Sequence, residues 1–153
     1  MRRALALLLP LALLGGCQST GSASGAPEFL VPDDPAMQSL PFSEAVRVGD
    51  VLYLSGQVGT APGTFELVPG GLEAEAVQTL ENIQAVLERH GSSMGEVFKC
   101  TVFLADIAEW PAFNEVYRRY FSAPYPARSA LAASGLALDA RVEVECLAHA
   151  AGS

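Results

Sequence analysis

Apolar residues repeat at helical spacing in two segments of the chain. The first segment runs from Leu72 to His90, and Gly91, which follows it, is typical of the residue just past a helix C-terminus. The second begins at Pro111, which suits a first helical turn, and ends before Pro124. The apolar positions are Ala76, Val77, Leu80, Ile83, Val86 and Leu87 in the first segment, and Phe113, Val116, Tyr117, Tyr120 and Phe121 in the second. Each set lies along one side of a helix, so we predict two amphipathic helices.

Shorter apolar or alternating runs predict the strands. The stretch "AVRVGDVLYLSGQVG" reads as two strands joined at Gly49-Asp50, a two-residue hairpin signal. "EVFKCTVFLAD" predicts a mostly buried strand, and "ARSALAAS" and "ARVEVECLAH" predict two more. The resulting order is β-β-α-β-α-β-β. We therefore predict an α+β domain over residues 39–150, with both helices packed on one face of a mixed sheet.

The alternation of side chains separates the two faces of that sheet. In the last strand, Val142 and Val144 point to one side, and Glu143 and Glu145 point to the other. In the strand before it, Arg128, Ala130 and Ala132 share one face. The face away from the core therefore carries both charged and apolar side chains. Two interpretations remain open, namely that this face meets water or that it packs against copies of the same chain.

The N-terminus has the pattern of an export signal. Arg2 and Arg3 precede eleven apolar residues, whose helical length of roughly 16 Å is too short for a hydrocarbon layer of about 30 Å. This pattern predicts a signal peptide over residues 1–16. The segment "LLGGC" resembles the lipobox of bacterial lipoproteins, which implies a lipid-modified Cys17 after cleavage, and Gln18 resembles the pattern for delivery to the outer membrane, facing the periplasm. The alternative is an ordinary signal peptide with an incidental Cys17.

Composition defines the linker and limits the partners. Residues 17–38 are rich in Ser, Gly, Ala and Pro without periodicity, which predicts a flexible tether. The full chain has a net charge of −8, and cleavage before Cys17 leaves 7 basic and 17 acidic residues, a net charge of −10. Such a surface repels nucleic acid and anionic lipid headgroups. We therefore expect no nucleic-acid partner and membrane contact only through the lipid anchor.

Two cysteines fall within the predicted strands. Cys100 and Cys146 both lie in apolar runs, where a free cysteine behaves as a small buried hydrophobic residue. A disulfide between them requires facing Cα atoms within about 7 Å, and the compartment implied by export permits one. Because the spacing does not give the pairing of the strands, we favour two free buried thiols and keep the disulfide as the alternative.

Few side chains are candidates for chemistry. The chain has no G-x-S-x-G motif, and "SGQVG" lacks both the lysine of a P-loop and the Rossmann spacing. His149 lies in step with Glu143, but without further spaced ligands it predicts no metal site. Arg128, Asn114 and Glu143 remain. An arginine fixed at the start of a strand matches a carboxylate, and a partly buried glutamate can relay a proton to water. Alternatively, Arg128 is a structural ion-pair partner of Glu143 or Glu145.

Five segments in order, "SGQVG", "TLENIQAVLERHG", "KCTVFLADIAEWPAFNEVYRRYF", "YPARSAL" and "VEVECLA", together resemble the reactive intermediate deaminase (Rid, YjgF-like) family. The resemblance covers about 110 residues, from Leu40 to Ala148. It implies a chorismate-mutase-like α+β fold and a homotrimer with three clefts between subunits. It also implies hydrolysis of small enamine and imine acids, such as 2-aminoacrylate, to 2-oxo acids and ammonia, without a metal or organic cofactor.

The resemblance also assigns roles to residues. Arg128 matches the arginine that binds the substrate carboxylate, and Glu143 matches the glutamate that orients or activates water. Ser55 and Gly56 match the loop that lines the cleft, and Asn114 matches a polar helix residue near it.

Three positions depart from the family pattern, and one of them is Ala137, which follows Leu136 where a proline is usual. Ala130 stands where many deaminating members have a cysteine, and Phe42 stands where a tyrosine is common, so a thiol and a phenol are missing from the predicted cleft. These departures keep a second function open, that of a trimeric protein that binds a small carboxylate and catalyses nothing. An envelope-anchored imine deaminase with Arg128 as its carboxylate anchor is the function we favour.

Overall fold

The computed structural model describes residues 25–150. The predicted signal peptide, the first part of the predicted tether and Cys17 lie outside the described residues. Within this range, none of the helices has the length and apolar character needed to cross a membrane. The strands are β1 Glu28–Leu30, β2 Ala45–Val48, β3 Val51–Leu54, β4 Gln57–Val58, β5 Val97–Leu104, β6 Ala127–Ala132 and β7 Val142–His149. The helices are α1 Pro35–Gln38, α2 Gly71–Arg89 and α3 Trp110–Tyr120.

All seven strands belong to one mixed sheet. The order is β1-β2-β3-β7-β5-β6, and β4 also pairs with β7. Only β5 and β6 run parallel among these pairs, and β6 forms one edge of the sheet. The predicted α+β architecture, with a mixed sheet and two long helices, is confirmed.

The helices cover one face of the sheet. α2 and α3 contact each other and bury Leu80, Ile83 and Phe113 against the alternate residues of β7, Val142 and Val144. The opposite face, which we call the open face, has no helix over it in the described chain. Large apolar side chains remain exposed there, namely Phe29, Val48, Tyr53 and Leu131. The predicted alternation of buried and accessible residues along β7 is confirmed.

The turns form where the glycines predict them. Gly49 has a φ of 56° in the hairpin that joins β2 to β3, where Val48 pairs with Val51. Gly91 has a φ of 75° and lies two residues after the end of α2, and the next N–H, from Ser92, donates to Leu87 O at 2.8 Å. Both positions use the left-handed backbone region that glycine adopts without a steric penalty.

The ordered domain begins earlier than predicted. Residues 28–38, which composition assigned to the tether, contain β1 and α1. Glu28 pairs with Arg47 of β2 in the ladder, and their side chains form an ion pair with Nε and Oε2 3.3 Å apart. Leu30 packs against the core. A strand of three residues has too little periodicity to be detected in sequence, because its stability comes from the ladder with β2.

The prediction of two free thiols is wrong, because Cys100 and Cys146 form a disulfide. Cys100 of β5 lies directly opposite Cys146 of β7, and their Cα atoms are 4.1 Å apart. Both side chains are fully buried on the face that the helices cover. The sequence did not reveal this pair because β7 inserts between β3 and β5, a placement that depends on the whole sheet.

We expect the disulfide to contribute substantially to stability. It joins residues 46 positions apart, and the loss of loop entropy in the unfolded chain for such a loop is worth about 4 kcal/mol. Reduction of the protein, or the double substitution Cys100→Ala/Cys146→Ala, should lower the free energy of unfolding measured by urea titration. The double variant should be insensitive to reductant. Identical urea midpoints for the oxidised and reduced wild-type protein would contradict this assignment.

Candidate active site

Arg128 lies on the helix-covered side of the edge strand β6. It pairs in register with Cys100 of β5, whose side chain faces the core, so the arginine side chain points towards α3. There its Nη2 donates a hydrogen bond to Asn114 Oδ1 at 2.7 Å. Ala130, two residues further along β6, shares this face and packs against the core. The structure therefore brings Arg128 and Asn114 into contact and places Ala130 on the same face of β6.

Aromatic rings surround the same guanidinium. Its central carbon Cζ lies 4.5 Å from the ring centroid of Tyr117, 4.9 Å from that of Trp110 and 5.9 Å from that of Phe113. All three distances are within the range of a cation–π interaction. Trp110, Phe113, Asn114 and Tyr117 follow one another at i, i+3, i+4 and i+7, so a single side of α3 supplies every contact.

Among residues 25–150, the Arg128 guanidinium has no carboxylate partner. Every other arginine between residues 25 and 150 forms an ion pair with a glutamate; the pairs are Arg47–Glu28, Arg89–Glu44, Arg118–Glu115, Arg119–Glu73 and Arg141–Glu109. The alternative in which Arg128 pairs with Glu143 or Glu145 is therefore absent from the described chain. A partly buried cation without an internal counter-ion can bind an anion from solution.

An open cavity of about 340 Å³ lies in front of this cation. The cavity is lined by two groups of side chains from α3 and from the segment around the start of β6, namely Trp110, Asn114, Tyr117 and Arg118, and Tyr125, Pro126 and Arg128. A small carboxylic acid fits within this volume with one end at the guanidinium.

Glu143 occupies the other face of the sheet. It lies on β7, in register with Phe103 of β5 and Val58 of β4. Partial burial raises the pKa of its carboxyl group above the ordinary value, and the neighbouring charge of Glu145 raises it further. The group therefore exchanges a proton closer to neutral pH than a solvated glutamate does.

The loop after β3 is fitted around this carboxyl group. A Cβ atom on Gly56 would overlap Glu143 Oε1 and lie 2.9 Å from Glu143 Cδ, so a larger residue would displace the carboxyl group. The neighbouring Ser55 donates from Oγ to Ser43 O at 2.6 Å. Ser55 also lines a second cavity, of about 580 Å³, together with the exposed ring of Phe42.

The predicted site residues thus form two groups rather than one. The arginine group contains Arg128, Asn114 and Ala130 on the helix-covered side of the sheet, and the glutamate group contains Phe42, Ser55, Gly56 and Glu143 on and around the open face. Residues paired across a sheet share a face. Arg128 pairs with Cys100, and Cys100 pairs with Cys146. Glu145, which pairs with Thr101, precedes Cys146 and points to the opposite face, as does Glu143 two residues earlier. Within one chain, Arg128 and Glu143 therefore lie on opposite faces.

Sequence reasoning missed the aromatic part of the site. The apolar stripe of α3 correctly identified Phe113 and Tyr117 as core residues but gave no sign that they also contact Arg128. No sequence pattern predicted that Trp110 belongs to the site. Its spacing of four residues before Asn114 and seven before Tyr117 was the available signal, although its meaning depends on β6 lying against that side of the helix.

The two histidines have structural partners. His90 Nε2 lies 2.7 Å from the buried carboxylate of Glu44, and His149 Nδ1 lies 4.0 Å from Glu96 Oε2. Among residues 25–150, no three His, Cys, Asp or Glu side chains are close enough to form a metal site.

Comparison with known proteins identifies relatives over most of the chain. A family model described as Endoribonuclease L-PSP matches residues 34–150. A 2-iminobutanoate/2-iminopropanoate deaminase of Dermatophagoides farinae is 38% identical over 123 residues, which are 80% of this chain and 96% of the relative. The crystal structure of RidA from the Antarctic bacterium Psychrobacter sp. PAMC 21119 is 37% identical, with a TM-score of 0.73, and covers 80% of this chain and 98% of that one.

A further similar structure contains a bound ligand. This is TdcF of E. coli with bound serine, which is 33% identical with a TM-score of 0.68, over 73% of this chain and 90% of that one. The match of the family model, together with relatives at this level of identity and coverage, agrees with the Rid resemblance of the sequence motifs. The chain belongs to the Endoribonuclease L-PSP family.

Proposed function

We propose that this protein hydrolyses small 2-imino acids, and the enamines with which they interconvert, to 2-oxo acids and ammonia. The observation that carries the proposal is the Arg128 guanidinium, which faces an open cavity and has no carboxylate partner within the part of the chain that the structure describes. A substrate of this class has a carboxylate one bond away from the reacting carbon. Arg128 can therefore bind the substrate and fix the position of the imine in the same contact.

Asn114 completes the carboxylate site. Its Oδ1 accepts one N–H of Arg128, which fixes the direction of the guanidinium and leaves other N–H groups for the ligand. An arginine offers two parallel donors to a carboxylate, so the bound acid has a defined orientation. This arrangement supports recognition of the acid group in the named substrates of the iminobutanoate deaminase relative.

The reaction needs one water molecule and the movement of protons. Water adds to the imine carbon, and its oxygen forms the new C–O bond while the nitrogen takes up a proton. The resulting carbinolamine loses its C–N bond, ammonia leaves, and the remaining C–O bond becomes the carbonyl group of the 2-oxo acid. We propose that no cofactor takes part, since the imine carbon is already electrophilic and water is the only second reactant.

Glu143 is the group that handles these protons. Its raised pKa lets it accept a proton from the attacking water and return one to the leaving nitrogen within the same pH range. Gly56 leaves space for the carboxyl group, and Ser55 belongs to the loop next to it. The missing thiol at Ala130 and the missing phenol at Phe42 are not needed in this scheme, because Arg128 binds the carboxylate and Glu143 transfers the protons.

Because Arg128 and Glu143 lie on opposite faces of one sheet, we propose that each active site forms between two copies of the chain. A homotrimer packed through its open faces would place the glutamate group of one subunit beside the arginine group of the next. Support comes from the exposed apolar side chains of the open face, including Tyr53 and Leu131. A closed ring of three identical contacts gives three equivalent clefts.

We further propose that the protein works in the bacterial envelope, attached to the outer membrane through a lipid on Cys17. The lipobox-like "LLGGC" supports this location. The Cys100–Cys146 disulfide supports export as well, because disulfides persist in oxidising compartments and are rare in the cytosol.

Substitution of Arg128 tests the reaction. Imino acids are generated in place by an amino-acid oxidase, and the fraction left is trapped with semicarbazide. We expect Arg128→Ala to lower kcat/KM by about 10- to 100-fold, the effect of one lost charge-assisted pair of hydrogen bonds. Arg128→Lys should fall in between, because a lysine keeps the charge but lacks the planar fork. Arg119→Ala, on the same helix as Asn114 but paired with Glu73, is the matched control.

The same assay separates catalysis from simple binding. Equal clearance of imine by the wild type and Arg128→Ala would refute the deaminase proposal. Binding of 2-oxobutanoate by the wild type, without any acceleration of imine loss, would identify the second candidate, a protein that only captures small carboxylates.

The pH profile tests Glu143. If its deprotonated form activates water, kcat/KM rises with pH through a pKa above that of an ordinary glutamate, since burial and Glu145 both favour the protonated form. Glu145→Gln removes the like charge and should move this rise to lower pH, whereas Glu143→Gln should abolish it. Rates are corrected for spontaneous hydrolysis at each pH. A rise that is unchanged in Glu143→Gln would assign the proton transfer to another group.

Mixed oligomers test the shared site. Arg128→Ala and Glu143→Gln chains should each have strongly reduced activity as pure proteins. When they are co-expressed, random assembly gives about one cleft in four with both wild-type residues, so activity should return to about a quarter of the wild-type value. An equal mixture of the two purified proteins, assayed immediately after mixing, is the control. No recovery in co-expressed chains that elute together as a trimer would contradict the intersubunit site.

A further inference from the structure

The Arg128 guanidinium is held in place by rings rather than by an acid. Asn114 accepts one N–H, and among residues 25–150 the charged group also contacts the rings of Trp110, Tyr117 and Phe113. Each ring presents negative charge density on its face, which attracts a cation without neutralising it. The contrast is Arg141, whose Nη2 lies 2.6 Å from Glu109 Oε1 and whose charge is thereby compensated.

This difference matters for ligand binding. A carboxylate in the position of the rings would hold the guanidinium equally well, but an incoming acid would then have to compete with it. The rings orient the guanidinium and partly compensate it for the water that it loses on burial. Its full positive charge remains available to an incoming acid. The aromatic contacts are thus suited to a site whose ligand is itself an anion.

Trp110 differs from the other two rings in its surroundings. Phe113 and Tyr117 are core residues with 1% and 4% of their surface exposed, so their contact with Arg128 is secondary to packing. Trp110 and Tyr117 both line the cavity with Arg128, but of the three rings Trp110 alone is only partly buried. An indole is also the ring that binds cations most strongly.

We propose that Trp110 is a positioning residue of the carboxylate site, which holds the Arg128 guanidinium in its binding orientation as an uncompensated cation. The inference rests on the proposed function, because it concerns how Arg128 stays free to bind the substrate carboxylate. Trp110 acts through Arg128 and takes no part in proton transfer. Its loss should therefore weaken binding of the acid and leave the chemical step nearly intact.

The test measures binding and turnover in the full-length chain. The probe is 2-oxobutanoate, which keeps the carboxylate and does not react further, and its affinity is measured by calorimetry. We expect Trp110→Leu to bind it roughly five- to twentyfold more weakly, and Trp110→Phe to recover most of the affinity because a ring is restored. In the semicarbazide assay, Trp110→Leu should raise KM by a similar factor with kcat nearly unchanged. Phe65→Leu, which removes an exposed ring from a loop outside this cavity, should behave as the wild type.

A second measurement does not depend on the folding of any Trp110 variant. The chain contains one tryptophan, so its intrinsic tryptophan fluorescence reports on Trp110 alone. Titration of the wild-type protein with 2-oxobutanoate should change this fluorescence with the same dissociation constant that calorimetry gives. Arg128→Ala should show no change over that concentration range. A calorimetric binding curve without any fluorescence change would overturn the inference.

The variants distinguish this inference from the proposed function. Loss of 2-oxobutanoate binding in Arg128→Ala, with wild-type affinity in Trp110→Leu, overturns the positioning role and leaves the carboxylate site standing. Wild-type affinity in both variants removes the Arg128 site itself, and the proposed function with it. A fall in kcat for Trp110→Leu at unchanged KM would also overturn the inference, because it would place the residue in the chemical step.

Discussion

The structure depends on the alternation of side chains along β7. This strand lies between β3 and β5 at the centre of the sheet, and successive residues point to opposite faces. One set, which includes Val142 and Val144, forms the floor beneath the helices. The other set places Glu143 and Glu145 on the open face. The core and Glu143, the candidate proton-transfer group, thus share a single strand, and Glu143 is separated from the core by the thickness of the sheet.

The same alternation explains why the two halves of the candidate site do not meet within a chain. The neighbours of Arg128 come from α3, which packs on the core side, whereas those of Glu143 come from the loop after β3. Charge is distributed accordingly. In an acidic protein whose other described arginines all pair with glutamates, the aromatic side of α3 keeps one guanidinium free of carboxylates. A free cation in acidic surroundings is a local attraction for small anions.

Much of the fold could be predicted from the sequence, because its signals are local. The stripes of α2 and α3, the glycines at Gly49 and Gly91, and the alternation of β7 are each contained within a few residues. What could not be predicted depends on pairing between distant segments. The disulfide between Cys100 and Cys146 requires the position of β7 in the sheet, β1 requires its partner β2, and the contact of Trp110 with Arg128 requires β6 to lie against α3. Arg128, Asn114 and Glu143 were named from chemistry and family resemblance, but their division between two faces follows only from the register.

The disulfide has a consequence beyond its contribution to stability. A strand that slips by one position relative to its neighbour exchanges its inner and outer side chains, so an intact ladder alone does not protect the two faces from being interchanged. The covalent link between Cys100 and Cys146 forbids that slip at the junction of β5 and β7. The disulfide thereby fixes the register between β5 and β7. This register determines which residues of both strands point towards the helices and which point to the open face.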